Sequence, residues 1–292
     1  MEDFLQFFIT GITIGSIYAI VALGFVTIYS VTKVINLAQG EFVMLGGMIM
    51  FTLVSHGVSY WFAFCLTIFT VTLIGWVMEA TILSRAKGAD PLSLIILTIG
   101  ISIFIRGIAS VVWGKDSVRV EPFTSNEPIN VLGIAVAPQS IWIVFIMLAV
   151  VTILYILIDK TMIGKAFQAC SANPMAARLM GISPRKMSSF SFTLSATLGA
   201  LAGLAVAPIM FPAYDIGIML GVKGFSAVIL GGLGSAPGAV LGGLVIGLLE
   251  SFGSGYVSSG LKNAIVFASI LIILLVRPSG ILGEKNIGKG GL

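Results

Sequence analysis

Charge is what this sequence has least of. Of its 292 residues only 10% are charged, 16 Lys and Arg against 12 Asp and Glu, while 58% are hydrophobic. Soluble domains run at about 25% charged and 45–50% apolar, so a water-soluble globular protein is excluded and a polytopic membrane protein is expected. Histidine is nearly absent. The single His56 stands before Gly57 at an expected helix end, with no partner for a metal or a catalytic dyad. The two cysteines, Cys65 in an apolar run and Cys170 in a polar loop, fall in different compartments under the topology below. No disulfide is therefore expected, and both read as small packing residues. Glycine-rich phosphate loops, nucleophile–histidine pairings and metal-ligand spacings are also missing. The expectation is a non-enzymatic chain with no catalytic residue, no metal and no cofactor of its own, and nothing points to nucleic acid. The start, MEDFLQFF, is acidic where a cleavable signal would be basic, so the first apolar run is expected to stay in the membrane.

What is abundant is apolar sequence in pieces of membrane-spanning length, roughly 20 residues for a 30 Å core. Such runs occupy 4–29, 36–55, 60–83, 91–113, 139–158, 187–212 and 261–277. Residues 213–260 are apolar but rich in glycine and read as two shorter helices, 216–232 and 236–252, broken at Gly234-Ser235-Ala236-Pro237. The expected fold is thus all-α with about nine transmembrane helices, eight to ten being the range. Orientation follows from the basic residues. Strict alternation puts Lys33, Arg85, Lys87, Lys160, Lys165, Arg178, Arg185, Lys186, Arg277, Lys285 and Lys289 on one side, which the positive-inside bias makes cytoplasmic. The amino terminus then faces out and the carboxyl terminus in. The loop Gly114–Gln139 faces out with the stretch INVLGIAV, which reads as a small hairpin.

The segment from Gly40 to Gly47 resembles that from Gly224 to Gly232 with one inserted residue, and each starts about 36 residues into a four-span block. Because the blocks begin on opposite sides, inverted repeats of four helices are expected, with a transport path between them. The organisation is one transmembrane domain: 1–113 as the first block, 114–138 as the external loop, 139–158 as a linking helix, 159–186 as a polar loop, 187–277 as the second block and 278–292 as a tail. In VINLAQGEF, Asn36, Gln39, Gly40 and Glu41 are polar or small at membrane depth and are candidates to face a path or a partner helix. In LGGLGSAPG, Gly231, Gly232 and Ser235 join them, although small residues at this spacing also serve tight helix packing alone. Of the other ionisable residues inside spans, Glu79, Arg106 and Glu250 lie near helix ends, where snorkelling to an interface accounts for them. Glu79 and Arg106 are expected near opposite faces and unpaired.

The longest polar insertion is Asp159–Lys186, DKTMIGKAFQACSANPMAARLMGISPRK. Asn173-Pro174 opens a short helix there and Gly181 closes it. The exposed side expected of that helix is Ala176, Ala177 and Met180, with Arg178 and Arg185 at its rim.

Four motifs in order carry a resemblance that spans almost the whole chain: ALGFVTIYSVTKVINLAQGEFVMLGG, GKAFQACSANPMAARLMGISPRK, GGLGSAPGAVLGGLVIGLLE and RPSGILG. Together they resemble the permease family of branched-chain amino acid ABC transporters, in its first-subunit branch. The resemblance implies an inner-membrane importer subunit of a bacterium or archaeon. It also implies a homologous second permease, two cytoplasmic ABC ATPases carrying ATP and magnesium, and an extracytoplasmic substrate-binding protein. The polar loop is similar to the cytoplasmic loop through which such permeases touch their ATPases. Asn173, Pro174, Ala176, Ala177, Arg178, Met180, Gly181 and Ile182 are its implied coupling residues. Departing readings are an ion-gradient-driven secondary transporter of a small polar solute, a channel, and a permease of the same family for urea or another amide.

Overall fold

The computed structural model describes residues 2–86, 90–124, 127–131 and 134–283. Lys87, Lys285 and Lys289, and the tail from residue 284, lie outside the described residues. Among the described residues eleven α-helices follow one another: α1 Glu2–Thr32, α2 Gln39–Ser55, α3 Tyr60–Met78, α4 Pro91–Val112, α5 Pro138–Tyr155, α6 Met162–Ala172, α7 Pro174–Leu179, α8 Pro184–Met210, α9 Ile216–Gly231, α10 Ala236–Tyr256 and α11 Lys262–Val276. Single π-helical turns extend α3 over Glu79–Leu83 and α5 over Ile156–Lys160. The protein is an all-α polytopic membrane protein: among the described residues seven helical segments are long and apolar enough to cross a bilayer. The remaining two expected spans are the short helices α2, with 17 residues, and α9, with 16. At 1.5 Å per residue each reaches only about 25 Å, short of a 30 Å core.

Helix starts are punctuated by a capping side chain followed by proline. Asp90 accepts from Ser93 N–H ahead of Pro91, Ser183 from Lys186 N–H ahead of Pro184, and Ser235 from Gly238 N–H ahead of Pro237. Each cap satisfies one orphan N–H, and proline in the first turn loses none that was bonded. The expected break between α9 and α10 falls where the Gly-rich run put it. Gly232 and Gly234 take φ of 109° and 88°, values that favour glycine.

α1 is the axis of the bundle, 78% of its apolar window being buried against only 11% for the Ser259–Val276 segment. It packs along α10, α8 and α9, while α8 also packs on α2 and α3. The α1–α10 seam is made of small residues. A Cβ at Gly247 would fall 2.2 Å from Gly15 N, and one at Gly243 2.4 Å from Ala19 N. Backbones this close gain dispersion contacts that lipid cannot supply. The other faces of α3, α4, α5 and α11 carry exposed Phe, Ile, Leu and Val, as a bilayer-facing surface requires.

The two ends of the bundle differ. At one, Ile129–Val131 pairs antiparallel with Ile134–Val136, Ile129 opposite Val136, as INVLGIAV led one to expect; its turn residues 132 and 133 lie outside the described residues. Nearby, Phe123 sits among Tyr60, Trp61, Phe64 and Trp142. Aromatic residues of this kind gather at membrane–water interfaces. At the other end lie α6, α7, the end of α1 and the α9–α10 break. There Leu282 N–H donates to the Gly231 carbonyl, and a cavity of about 870 Å3 is lined by Lys33, Gln168, Ser171 and Ser235 among others.

Candidate functional site: a polar loop and three buried polar clusters

The polar loop folds as two short helices held rigidly against the bundle. Thr161 caps α6 by accepting from Gly164 N–H, and Gln168 donates to Asp159 at 2.8 Å. Asn173 Oδ1 accepts from both Met175 and Ala176 N–H at 3.0 Å, starting α7 with Pro174 behind it. Gly181 closes the helix at φ 82°, and Ile182 N–H donates to the Ala177 carbonyl. The helix boundaries read from the sequence are therefore those observed. Its facing is not. Ala177 is turned inward, 4% exposed, in a cluster with Val31, Phe167 and Cys170, and half-buried Ile182 packs there too. The reason is spacing: Ala177 falls on the side of this single turn that rests on α6 and α8. The apolar residues left outside are Met175, Leu179 and Met180, 79%, 85% and 82% exposed, with Ala176, Arg178 and Gly181 also exposed. Burial pushes the Cys170 thiol up from its ordinary value.

Inside the bundle, polar residues collect at three places. The first is the start of α2. Gln39 Nε2 donates to the Ser195 carbonyl at 3.1 Å, and Ser195 Oγ reaches both Gln39 Oε1 and the Gly24 carbonyl, so α1, α2 and α8 are stitched together. Asn36 accepts from Ala38 N–H, while its Nδ2 is buried without a hydrogen-bond partner. Gly40 lies against α9: a Cβ there would meet Gly217 O at 2.0 Å. Beside it Glu41, 1% exposed, accepts from Ser102 Oγ at 2.7 Å and stands 3.2 Å from Arg106 Nε. Arg106 is thus an ion-pair partner within the bundle and not an interface residue, because α4 packs its Ser102 and Arg106 side against the first turn of α2.

The second cluster is Tyr18, Lys223 and Glu250. Lys223 Nζ lies 2.6 Å from Glu250 Oε1, Tyr18 donates to Glu250 Oε2 at 2.6 Å, and Lys262 Nζ is 3.8 Å away at the start of α11. Both charges of the close pair are nearly fully buried. The expectation that Glu250 snorkels is therefore corrected: α9 delivers a cation to it. Lys223 escaped the sequence reading. Its signal was a lone Lys in IGIMLGVKGFSAVILG, visible once that run is read as a membrane helix.

The third cluster is Glu79, also buried instead of snorkelling. Its carboxylate accepts from Ser188 Oγ at 3.0 Å and from Ser189 Oγ, tying the π turn after α3 to the first turns of α8. Of the LGGLGSAPG candidates, Gly231 and Gly232 serve packing, against the Gly238 carbonyl and Gly283. Ser235 caps α10 and borders the 870 Å3 cavity. These three sit at the α7 end, away from Glu41. Among the described residues no group of His, Cys, Asp or Glu is placed to hold a metal ion.

A bundle of apolar helices with charge pairs inside and one short polar helix pair held outside defines a multi-pass membrane protein. The chain belongs to the family described as branched-chain amino acid transport system / permease component, which matches residues 7–276. It is 32% identical to the high-affinity branched-chain amino acid transport system permease protein LivH of Salmonella typhimurium, over 98% of this chain and 97% of that one. It is 30% identical to the corresponding permease protein BraD of Pseudomonas aeruginosa, over 98% of each. A ribose import permease protein, RbsC of Haemophilus influenzae, is 28% identical over 93% of this chain and 84% of its own. No solved structure matches the chain.

Proposed function

We propose that this chain is a membrane-spanning subunit of an ATP-driven importer of branched-chain or related amino acids, docked by ATPases at α7. The observation that carries the reading is the two-sided character of that helix. Its Ala177 side is packed on α1, α6 and α8, and its Met175, Leu179 and Met180 side is bare. Three large apolar side chains on a polar loop have no reason to stay in water unless a partner covers them. A lever also has to be stiff. The caps at Thr161, Asn173 and Ser183 and the Ala177 contacts make a displacement of α7 a displacement of α8. The α7 end is then cytoplasmic and the hairpin end external, where a binding protein would deliver substrate. A homologous second permease would complete the path.

Inverted repeats fit this reading. Superposing α1–α4 on α8–α11 in order turns the α1–α10 contact into α8–α3, and α2–α8 into α9–α1, and all four packings occur. The two short helices, α2 and α9, are counterparts in that scheme and meet each other at Gly40 and Gly217.

The test is copurification followed by uptake. Extracted in detergent, the chain should carry ATPase subunits, and vesicles should take up leucine only with ATP. Leu179→Asp and Met180→Asp should strip the ATPases while leaving the chain in the membrane. Uptake that persists without ATP, or undisturbed association of both variants, would refute the docking assignment.

A further inference from the structure

We infer that Asp215, Arg106 and Glu41 form a charged station on the transport path that handles the ammonium and carboxylate of a zwitterionic amino acid. The inference rests on the importer reading and goes beyond it by placing a substrate contact. Asp215 immediately precedes α9, and its carboxylate neither caps the helix nor finds an ion pair among the described residues, yet it is exposed. Two residues on, Gly217 packs on Gly40, and three residues back the Pro212 carbonyl accepts from Val118 N–H of the segment between α4 and the hairpin, so Asp215 stands between the first turn of α2 and that segment. An exposed carboxylate cannot face hydrocarbon, so this side of α9 faces water.

Glu41 and Arg106 share the spot. A Cβ built on Gly217 would stand 2.9 Å from Glu41 Oε2, which puts that oxygen against the first turn of α9, two residues on from Asp215. Oε2 is buried with no hydrogen-bond partner, and so is Arg106 Nε, although it faces Glu41 Oε1 at 3.2 Å. A buried acceptor without a partner, beside a guanidinium that is not fully enclosed, leaves room for a ligand that donates to Glu41 Oε2 and accepts from Arg106. The three charges sum to one negative, which favours an ammonium beside Asp215. The Arg106 side chain, 23% exposed, remains available to a carboxylate. Beyond Asp215 the exposed face of α9 is apolar, Ile218, Met219 and Val222, matching a branched aliphatic side chain.

Thiol labelling and uptake test it together, in a Cys65→Ser, Cys170→Ala background with the full importer in proteoliposomes and leucine as probe. Asp215→Cys should react with water-borne charged methanethiosulfonates, and leucine under turnover with ATP should slow the reaction. Val222→Cys should react faster with the trimethylammonium reagent than with the sulfonate, roughly tenfold, and Asp215→Asn should abolish that preference. Asp215→Asn should also cut leucine uptake more than tenfold with the ATPases still bound, and Asp215→Glu should recover it. An unreactive Asp215→Cys, or wild-type uptake by Asp215→Asn, would overturn the station. If the unsubstituted chain shows no ATP-dependent uptake, the importer reading falls, while the labelling and its charge preference still decide whether the site is wet and anionic.

Discussion

Replacing Lys223 by Met tests how much the bundle depends on its buried charges. At 2.6 Å the Lys223–Glu250 attraction is gross about 6 kcal/mol at an effective dielectric constant of 20, before the cost of desolvating either group. Most of that gain only offsets desolvation, so the pair as a whole adds little. Removing one partner is another matter: Glu250 would stay buried with Tyr18 alone, and such losses cost about 3–5 kcal/mol. Lys262 cannot step in fully, since its ammonium stands 3.8 Å away on a half-exposed side chain. The assay is thermal unfolding of the purified protein in detergent, followed by size-exclusion chromatography after heating. Lys223→Met should lower the midpoint by on the order of 10 °C. Adding Glu250→Gln should return most of it, because a neutral amide can keep the Tyr18 hydrogen bond. A double variant as unstable as Lys223→Met alone, or a single variant as stable as the unsubstituted chain, would refute the pairing argument.

Other expectations follow from single contacts. Gly247→Leu should prevent correct folding, because even a Cβ falls 2.2 Å from Gly15 N and neither backbone can retreat; protease resistance in membranes would read this. Asn173→Ala leaves two N–H groups of α7 unbonded and should cost about 1 kcal/mol locally, seen as faster amide exchange at Met175 and Ala176. Glu79→Ala should loosen the tie between α3 and α8 and lower uptake without releasing ATPases, whereas full uptake would make that tie dispensable. Gly181→Val should disrupt the turn after α7, since φ 82° strains a β-branched residue; unchanged ATPase binding would contradict it.

Apolar helices, their breaks and the short helix α7 were legible because each is a local property. Apolar length, a cap before a proline and a glycine after the last turn all act within a few residues, so Asn173, Pro174 and Gly181 could be placed from the string alone. The facing of α7 was not local: Ala177 is inward because Val31, distant in sequence, and Phe167 on α6 meet it. Charge partners were the hardest to read. Glu41 finds Arg106 and Glu250 finds Lys223 across separate helices, and the sequence offers no period linking them. Position near a helix end suggested snorkelling for Glu79, Arg106 and Glu250, yet Glu79 and Glu250 are buried and half-buried Arg106 turns to Glu41, because membrane helices this close leave polar side chains fewer routes outward than partners inward. Asp215 differs from all of these, because it remains exposed and finds no ion pair among the described residues. A membrane-spanning bundle keeps such a carboxylate only where water reaches it.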